Sequence, residues 1–199
     1  HGAMPHTGRD AFRAGASILD AIYAEADALK AVKSRVPGID HPTMIVGVIQ
    51  GGINTNVVPD RLMLRVDRRM TPEEDPAAVE ARVRRLIEDA VRPHQDIDVE
   101  IRRLLFARAL KPLPGHERLV DAIRAHARRV LGEDIPALGV PLYADARLYA
   151  EHGVPVVMYG AGPRTIAESN AKRPGENLVL EDLRKATKIV AGAVCDLLR

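Results

Sequence analysis

The sequence predicts an α/β chain in two parts: a helix-and-strand half over residues 1–108, and an α/β half over residues 109–199 with too few strands to close a sheet alone. Three observations carry this. Apolar residues recur at helical spacing, then alternate, then alternate again, in the order helix, strand, strand, helix, strand. Lys111-Pro112-Leu113-Pro114-Gly115 interrupts the pattern as a linker, because prolines and glycine break both helix and strand. Beyond it the pattern turns mainly helical, with one apolar strand-like run.

Asp10 is a plausible N-cap for the first helix, predicted over residues 10–33 from Phe12, Ala16, Ile18, Leu19, Ile22, Ala26 and Leu29. Met44 to Ile49 reads as a strand leading into Gly51-Gly52, a pair that permits a tight backbone path. Pro59 ends the loop, and residues 61–69 form the next strand, with Leu62, Leu64 and Val66 on one face. Pro72 and Pro76 surround the start of a second helix, where proline is tolerated, and its stripe runs Val79, Val83, Leu86, Ile87, Val91. Ile97, Val99 and Ile101 alternate with Asp98, Glu100 and Arg102, which predicts a third strand over 97–104 in the same sheet. One strand placed in front makes this βαββαβ, the ferredoxin-like split unit. After the linker come a helix from Glu117 to Leu131, an apolar segment near Pro136–Leu142, a short helix near Asp145–His152 and a strand at Val154–Met158. A Gly/Pro loop, a long polar loop and a final helix from about Leu180 to Leu198 follow.

Composition removes several classes of function. The 199 residues carry 29 basic and 27 acidic side chains, a net charge of +2, which makes no electrostatic case for nucleic acid. Only 3% are aromatic and there is no Trp, so base-stacking platforms are not expected. Cys195 is the lone cysteine, so no internal disulfide forms and a cytoplasmic location fits. No apolar run reaches the roughly 20 residues of a membrane span. His1-Gly2-Ala3-Met4-Pro5-His6 is not a natural initiator sequence; it reads as an expression-tag remnant or as the start of a piece cut from a longer protein.

The wording of one stretch is more specific. Gly51-Gly52, then Asn56-Val57-Val58-Pro59-Asp60, then a strand closing on Asp67-Arg68-Arg69, resembles the lid or dimerisation domain of the zinc-dependent aminoacylase and exopeptidase family. That family includes acetylornithine deacetylase, succinyl-diaminopimelate desuccinylase and the glutamate-releasing carboxypeptidases. The resemblance implies a ferredoxin-like lid lacking most of its first strand, followed by the C-terminal part of a three-layer catalytic domain. It also implies a homodimer through the lid and a small substrate bearing a carboxylate. Gly2-x-x-x-His6-Thr7 resembles the element whose histidine reaches the neighbouring subunit's active site and stabilises the oxyanion, which makes His6 the catalytic candidate; read without the family, it is a surface histidine. Asn56 matches the lid asparagine that binds the substrate carboxylate or the reacting carbonyl; its alternative is a turn residue bonding its own backbone. Asp67 and Arg69 match a closing Asp-x-Arg, with structural pairing as their expected role.

In the second half, Ala144-Asp145-Ala146-Arg147 resembles the turn whose arginine grips the substrate carboxylate bidentately, with Asp145 in a supporting place. Arg147 is otherwise one exposed helix arginine among many. Gly160-Ala161-Gly162-Pro163 resembles the loop that closes around substrate, so Gly160 and Gly162 are binding candidates. The family follows this loop with His-x-x-x-Glu, whose histidine binds the second metal ion. Here Lys172 stands in the histidine's place and Glu176 in the glutamate's. A charged ammonium cannot ligate a metal, so either the site is mononuclear, another residue substitutes, or the register differs; Lys172 would alternatively supply a fixed positive charge. No metal ligand is assigned in this chain. The zinc or manganese implied by the family finds its ligands mostly in an N-terminal half that these residues do not include. His94-Gln95-Asp96 has a His-x-Asp spacing but joins a helix end to a strand and is read as coincidence. Metal-dependent C–N hydrolysis by the intact protein is the favoured function. The alternatives are an aminohydrolase acting on a non-peptide C–N bond, and a non-catalytic dimerisation or small-molecule-binding module.

Overall fold

The computed structural model describes residues 1–162 and 165–199, with the backbone alone for residue 166. The chain divides into two compact units: residues 1–109 with 138–142, and residues 110–137 with 143–199.

In the first unit, helix α1 (Ala11–Leu29) starts where Asp10 accepts a hydrogen bond from the Phe12 amide at 3.0 Å. Strands β1 (Thr43–Gly51) and β2 (Leu62–Arg69) form an antiparallel hairpin, registered from Thr43 opposite Arg69 to Gly51 opposite Leu62, with a bulge at Gly47. Helix α2 (Pro76–Val91) begins with Pro76 in its first turn and Asp75 accepting from the Ala78 amide at 3.1 Å. Both helices supply apolar faces to one core: Ile18, Ile22 and Leu29 from α1, Met44 from β1, Ile87 and Val91 from α2, with Leu64 and Val66 packed against them. A two-faced hairpin is marginal by itself, so this covering accounts for its stability. Arg82 closes a two-armed pair on Glu25 at 2.7 and 2.9 Å, and this ties α2 to α1.

The mixed α/β class holds, but the sheet is smaller than the alternation predicts. Among the described residues it has two strands, and residues 97–104 form no ladder. The pattern was right about facing in part: Ile97 and Ile101 pack on the core while Val99 is exposed, and Arg84 donates to the Ile101 carbonyl at 3.0 Å. What is absent is a partner. In a βαββαβ unit the last strand pairs only with the first, and the residues ahead of α1 here form a 3-10 turn (Pro5–Thr7) instead of a strand.

The second unit contains α3 (His116–Leu131), α4 (Ala146–Glu151), α5 (Ile166–Ser169) and α6 (Leu180–Leu197). Its core is the contact between α3 and α6, where Ala127, Ala186, Ile189 and Ala193 are buried. The helices approach closely because Gly192 leaves room for the His126 ring: a Cβ there would stand 2.8 Å from His126 Cγ and closer still to two other ring atoms. The ring continues to Asp196, sharing a 2.7 Å hydrogen bond through Nε2. The predicted strand at 154–158 has no ladder partner, since no strand is described in this unit. The apolar segment near 136–142 makes no regular element; residues 138–142 join the first unit, where the Gly139 amide donates to the Pro37 carbonyl at 2.8 Å. A Cβ at Gly139 would fall 2.8 Å from both Val36 and Ile39. No described helix is long and apolar enough to cross a membrane.

Candidate functional site

The candidate residues fall into two groups, one on each unit. In the first unit, the N-terminal segment lies alongside the loop after β1. The Gly2 amide donates to the Asn56 carbonyl at 2.7 Å, and the Ala11 amide donates to Pro59 at 2.9 Å. Between these points Gly8 packs on Val58, where an added Cβ would sit 3.0 Å from the valine side chain. His6 occupies the 3-10 turn between them, with Thr7 Oγ1 donating to the Met4 carbonyl at 2.8 Å. The structure therefore puts His6 and Asn56 on adjoining backbone segments, both with exposed side chains.

The glycine pair that opens the loop is required twice over. Gly52 has φ +70°, in the region where L side chains are strained, and a Cβ on Gly51 would lie 2.5 Å from the Arg61 carbonyl oxygen and 2.8 Å from the Phe12 ring. The turn itself is fastened by Asn54, whose Oδ1 accepts from the Thr55 amide at 2.7 Å, and not by Asn56. Asp67 and Arg69 bond to each other, Nε to Oδ1 at 2.7 Å and Nη2 to Oδ2 at 2.9 Å. That satisfies the guanidinium fork within β2.

In the second unit, Asp145 is the N-cap residue of α4, though its side chain makes no cap hydrogen bond. Arg147 lies in the helix's first turn with its side chain only 12% exposed. Nη1 donates to Glu151 at 3.2 Å, Nη2 donates to the Tyr143 hydroxyl at 3.2 Å, and the guanidinium stands 5.2 Å from the Tyr143 ring centroid. Its Nε is buried and has no hydrogen-bond partner among the described residues. Gly160 and Gly162 face open space: a Cβ at either meets nothing within 4 Å, so packing does not demand their small size. Pro163, the last residue of that motif, lies outside the described residues. Lys172 has φ +60°, and its amide donates to Glu176 Oε2 at 3.0 Å. Glu176 thus holds the turn 172–176 closed, together with Asn170 Nδ2 donating to the Pro174 carbonyl at 2.9 Å.

Three partnerships went unread in the sequence. Glu151 follows Arg147 by four residues along α4, a spacing that brings side chains together on a helix, while Tyr143 reaches Arg147 from the non-helical residues before α4. Ser17 and His94 Nε2 share a 2.8 Å hydrogen bond from α1 to the turn that follows α2. His126 and Asp196 join α3 to α6, and the imidazole holds the Asp196 carboxyl below the usual carboxylate range. Neither histidine pair left a sequence signal, because the partners are 77 and 70 residues apart.

No group of three His, Cys, Asp or Glu among the described residues is arranged to hold a metal ion. The donors present do not fit a zinc or manganese centre, and no reaction step is assigned to one within this chain.

Residues 1–95 match a family described as the peptidase dimerisation domain, M20_dimer. The chain is 22% identical over 205 residues to an uncharacterized metallohydrolase of Methanococcus maripaludis, covering 95% of this chain and 47% of that one. Its fold is similar to an M20 family metallo-carboxypeptidase from Sulfolobus solfataricus, at TM-score 0.58 and 21% identity over 87% of this chain and 41% of that one. It is also similar to the aminopeptidase PepT from Bacillus cereus ATCC 10987, at TM-score 0.58 and 20% identity over all of this chain and 48% of that one. The chain spans about half the length of these relatives.

Proposed function

We propose, on the premise that residues 1–95 are a peptidase dimerisation domain, that the chain is the C-terminal part of a metal-dependent hydrolase of C–N bonds. Its substrate is a small molecule with a free carboxylate, such as an N-acyl amino acid. The observation that carries this is Arg147, a mostly buried guanidinium with one N–H unmade and two single-armed contacts. A planar carboxylate is the group that such a fork accepts. Gly160 and Gly162 support the same reading, because open backbone next to no packing neighbour lets a ligand approach. His6 and Asn56, exposed on adjoining segments, are assigned to the reacting carbonyl, which His6 polarises at a neighbouring subunit's site. The metal ligands are assigned to sequence outside these 199 residues, in agreement with a chain that covers 47% of its metallohydrolase relative. The protein acts as a homodimer through its first unit, in the cytoplasm.

Lys172 favours a second reading. Its left-handed backbone is tied to Glu176, so this position is built into a turn and not left loose. A fixed cation where the family has a metal-binding histidine suits a mononuclear aminohydrolase acting on a non-peptide C–N bond. Both readings are tested in the full-length protein. Arg147→Lys raises KM for a carboxylate substrate about 10- to 100-fold, the loss of about 1.5–3 kcal/mol of charge-assisted bonding. An unchanged KM rejects the carboxylate role.

A further inference from the structure

Helix α6 has more apolar surface than α3 covers. The covered side is built mainly of small residues, Ala186 and Ala193 with Ile189, all buried. At about 100° per residue, the adjoining side carries Leu183, Val190 and Val194. These are 44%, 41% and 46% exposed, and Leu180 extends the stripe at 78%. The charged Glu181, Arg184 and Lys188 take the remaining side. The larger apolar residues are thus the ones left uncovered. A helix with so wide an apolar arc belongs between two layers.

The same unit holds a second incomplete element. Val156, Val157 and Met158 form an unbroken apolar run, the pattern of a strand covered on both faces. Val156 and Val157 are partly buried, yet none of the three makes a backbone hydrogen bond among the described residues. Buried backbone groups are almost always paired, so this run lacks a ladder partner.

We propose that α6 and residues 156–158 are the docking surface for a β-sheet carried by the preceding polypeptide of the same protein. This rests on the reading of the chain as the C-terminal part of a longer hydrolase. The chain spans 47%, 41% and 48% of its three relatives, so each has more than half its length outside the matched part, room enough for a sheet. A sheet meets both needs at once. One of its strands pairs with the 156–158 backbone, and its apolar face covers the Leu183–Val190–Val194 stripe.

The test is amide hydrogen exchange on the full-length protein and on the 199-residue chain. In the 199-residue chain the Val156, Val157 and Met158 amides exchange at close to the rate of free amides. In the full-length protein they exchange about 100-fold more slowly. There, Leu183→Ser and Val190→Ser each speed them about ten-fold, and Lys188→Ser, on the charged side, does not. Val190→Thr, which keeps the side chain's shape, gives an intermediate rate and guards against a folding defect in the serine variants. Equal exchange of the three amides in the two proteins overturns the proposal, whether or not the full-length protein hydrolyses a substrate. Protection unaffected by every stripe variant removes α6 from the surface. Stripe variants that turn a dimer of the 199-residue chain into a monomer assign the stripe to a second copy, and also overturn the proposal. Slow exchange in a full-length protein without hydrolase activity keeps the docking surface and removes the hydrolase reading.

Discussion

Gly192→Ala sets two effects of opposite sign against each other in the middle of α6. Helix propensity favours alanine by about 1 kcal/mol. Packing opposes it. The new Cβ would stand 2.8 Å from His126 Cγ, and nearer to Nδ1 and Cε1, against the roughly 3.5–4.0 Å that carbon atoms prefer. Relief needs a retreat of about 1 Å or more. The ring has little freedom to give it: His126 is 14% exposed and its Nε2 is bonded to Asp196 at 2.7 Å. The crowded atoms sit at the base and near side of the ring, so rotating a distant tip relieves nothing. Overpacking of this kind costs about 1–3 kcal/mol, so the net expectation is a loss of about 0–2 kcal/mol. The sharper readout is the reversal of sign. In a His126→Ala background the obstruction is gone, and Gly192→Ala should stabilise by about 1 kcal/mol, a coupling of about 1–3 kcal/mol. Amide hydrogen exchange across α3 and α6 is the suitable assay, because a chain of two units need not unfold in one step. If Gly192→Ala raises protection with His126 present, the close-packing argument is wrong.

Three further outcomes follow from the first unit and its pairings. Gly51→Ala should loosen the β1–β2 hairpin more than Gly52→Ala, because its Cβ meets a carbonyl oxygen at 2.5 Å while the Gly52 change costs the about 1–2 kcal/mol of left-handed backbone; equal loss of exchange protection in β1 contradicts this. Arg82 holds the Glu25 carboxyl below the usual range, so that pair contributes fully above about pH 4.3 and fades as pH falls through the depressed value. Arg82→Ala should therefore flatten the acid limb of the first unit's stability curve below the ordinary glutamate range while lowering it at neutral pH, and an unchanged acid limb rejects the linkage. The 199-residue chain should sediment as a dimer at high micromolar concentration through its first unit, and a monomer there contradicts the homodimer assignment.

What the sequence revealed depended on whether a feature was local. The Asp10 cap, the alternation of Leu64 and Val66 and the Gly-Gly turn are each settled within a few residues, and each appears as read. Residues 97–104 and 154–158 show where that stops. Alternation suggests which side chains face a core, and Ile97 and Ile101 do face it while Val99 does not. It does not say which backbone will supply the opposing N–H and C=O groups, and among the described residues neither segment pairs into a ladder. The site behaves the same way. Arg147 was visible through its motif, and Glu151 lay four residues on along α4, but the buried Nε was not visible because sequence spacing does not show burial. Nor was the left-handed backbone at Lys172, since a non-glycine residue adopts it only when its surroundings impose it.

The bond from Gly139 to Pro37 makes the two units interleaved in chain order. Residues 138–142 complete the first unit, yet they are strung between two stretches of the second. Cutting the gene at residue 109 would not yield a finished first unit: Val36 and Ile39 would lose the backbone that Gly139 lays against them. Order would also pass along the chain. Residues 138–142 dock on the loop at 36–39, and the second unit's remaining helices are made from the polypeptide that emerges after them. During synthesis from the ribosome, the first unit must therefore wait for about thirty residues of its neighbour before it is complete, and its last closure coincides with the start of the segment that carries Arg147.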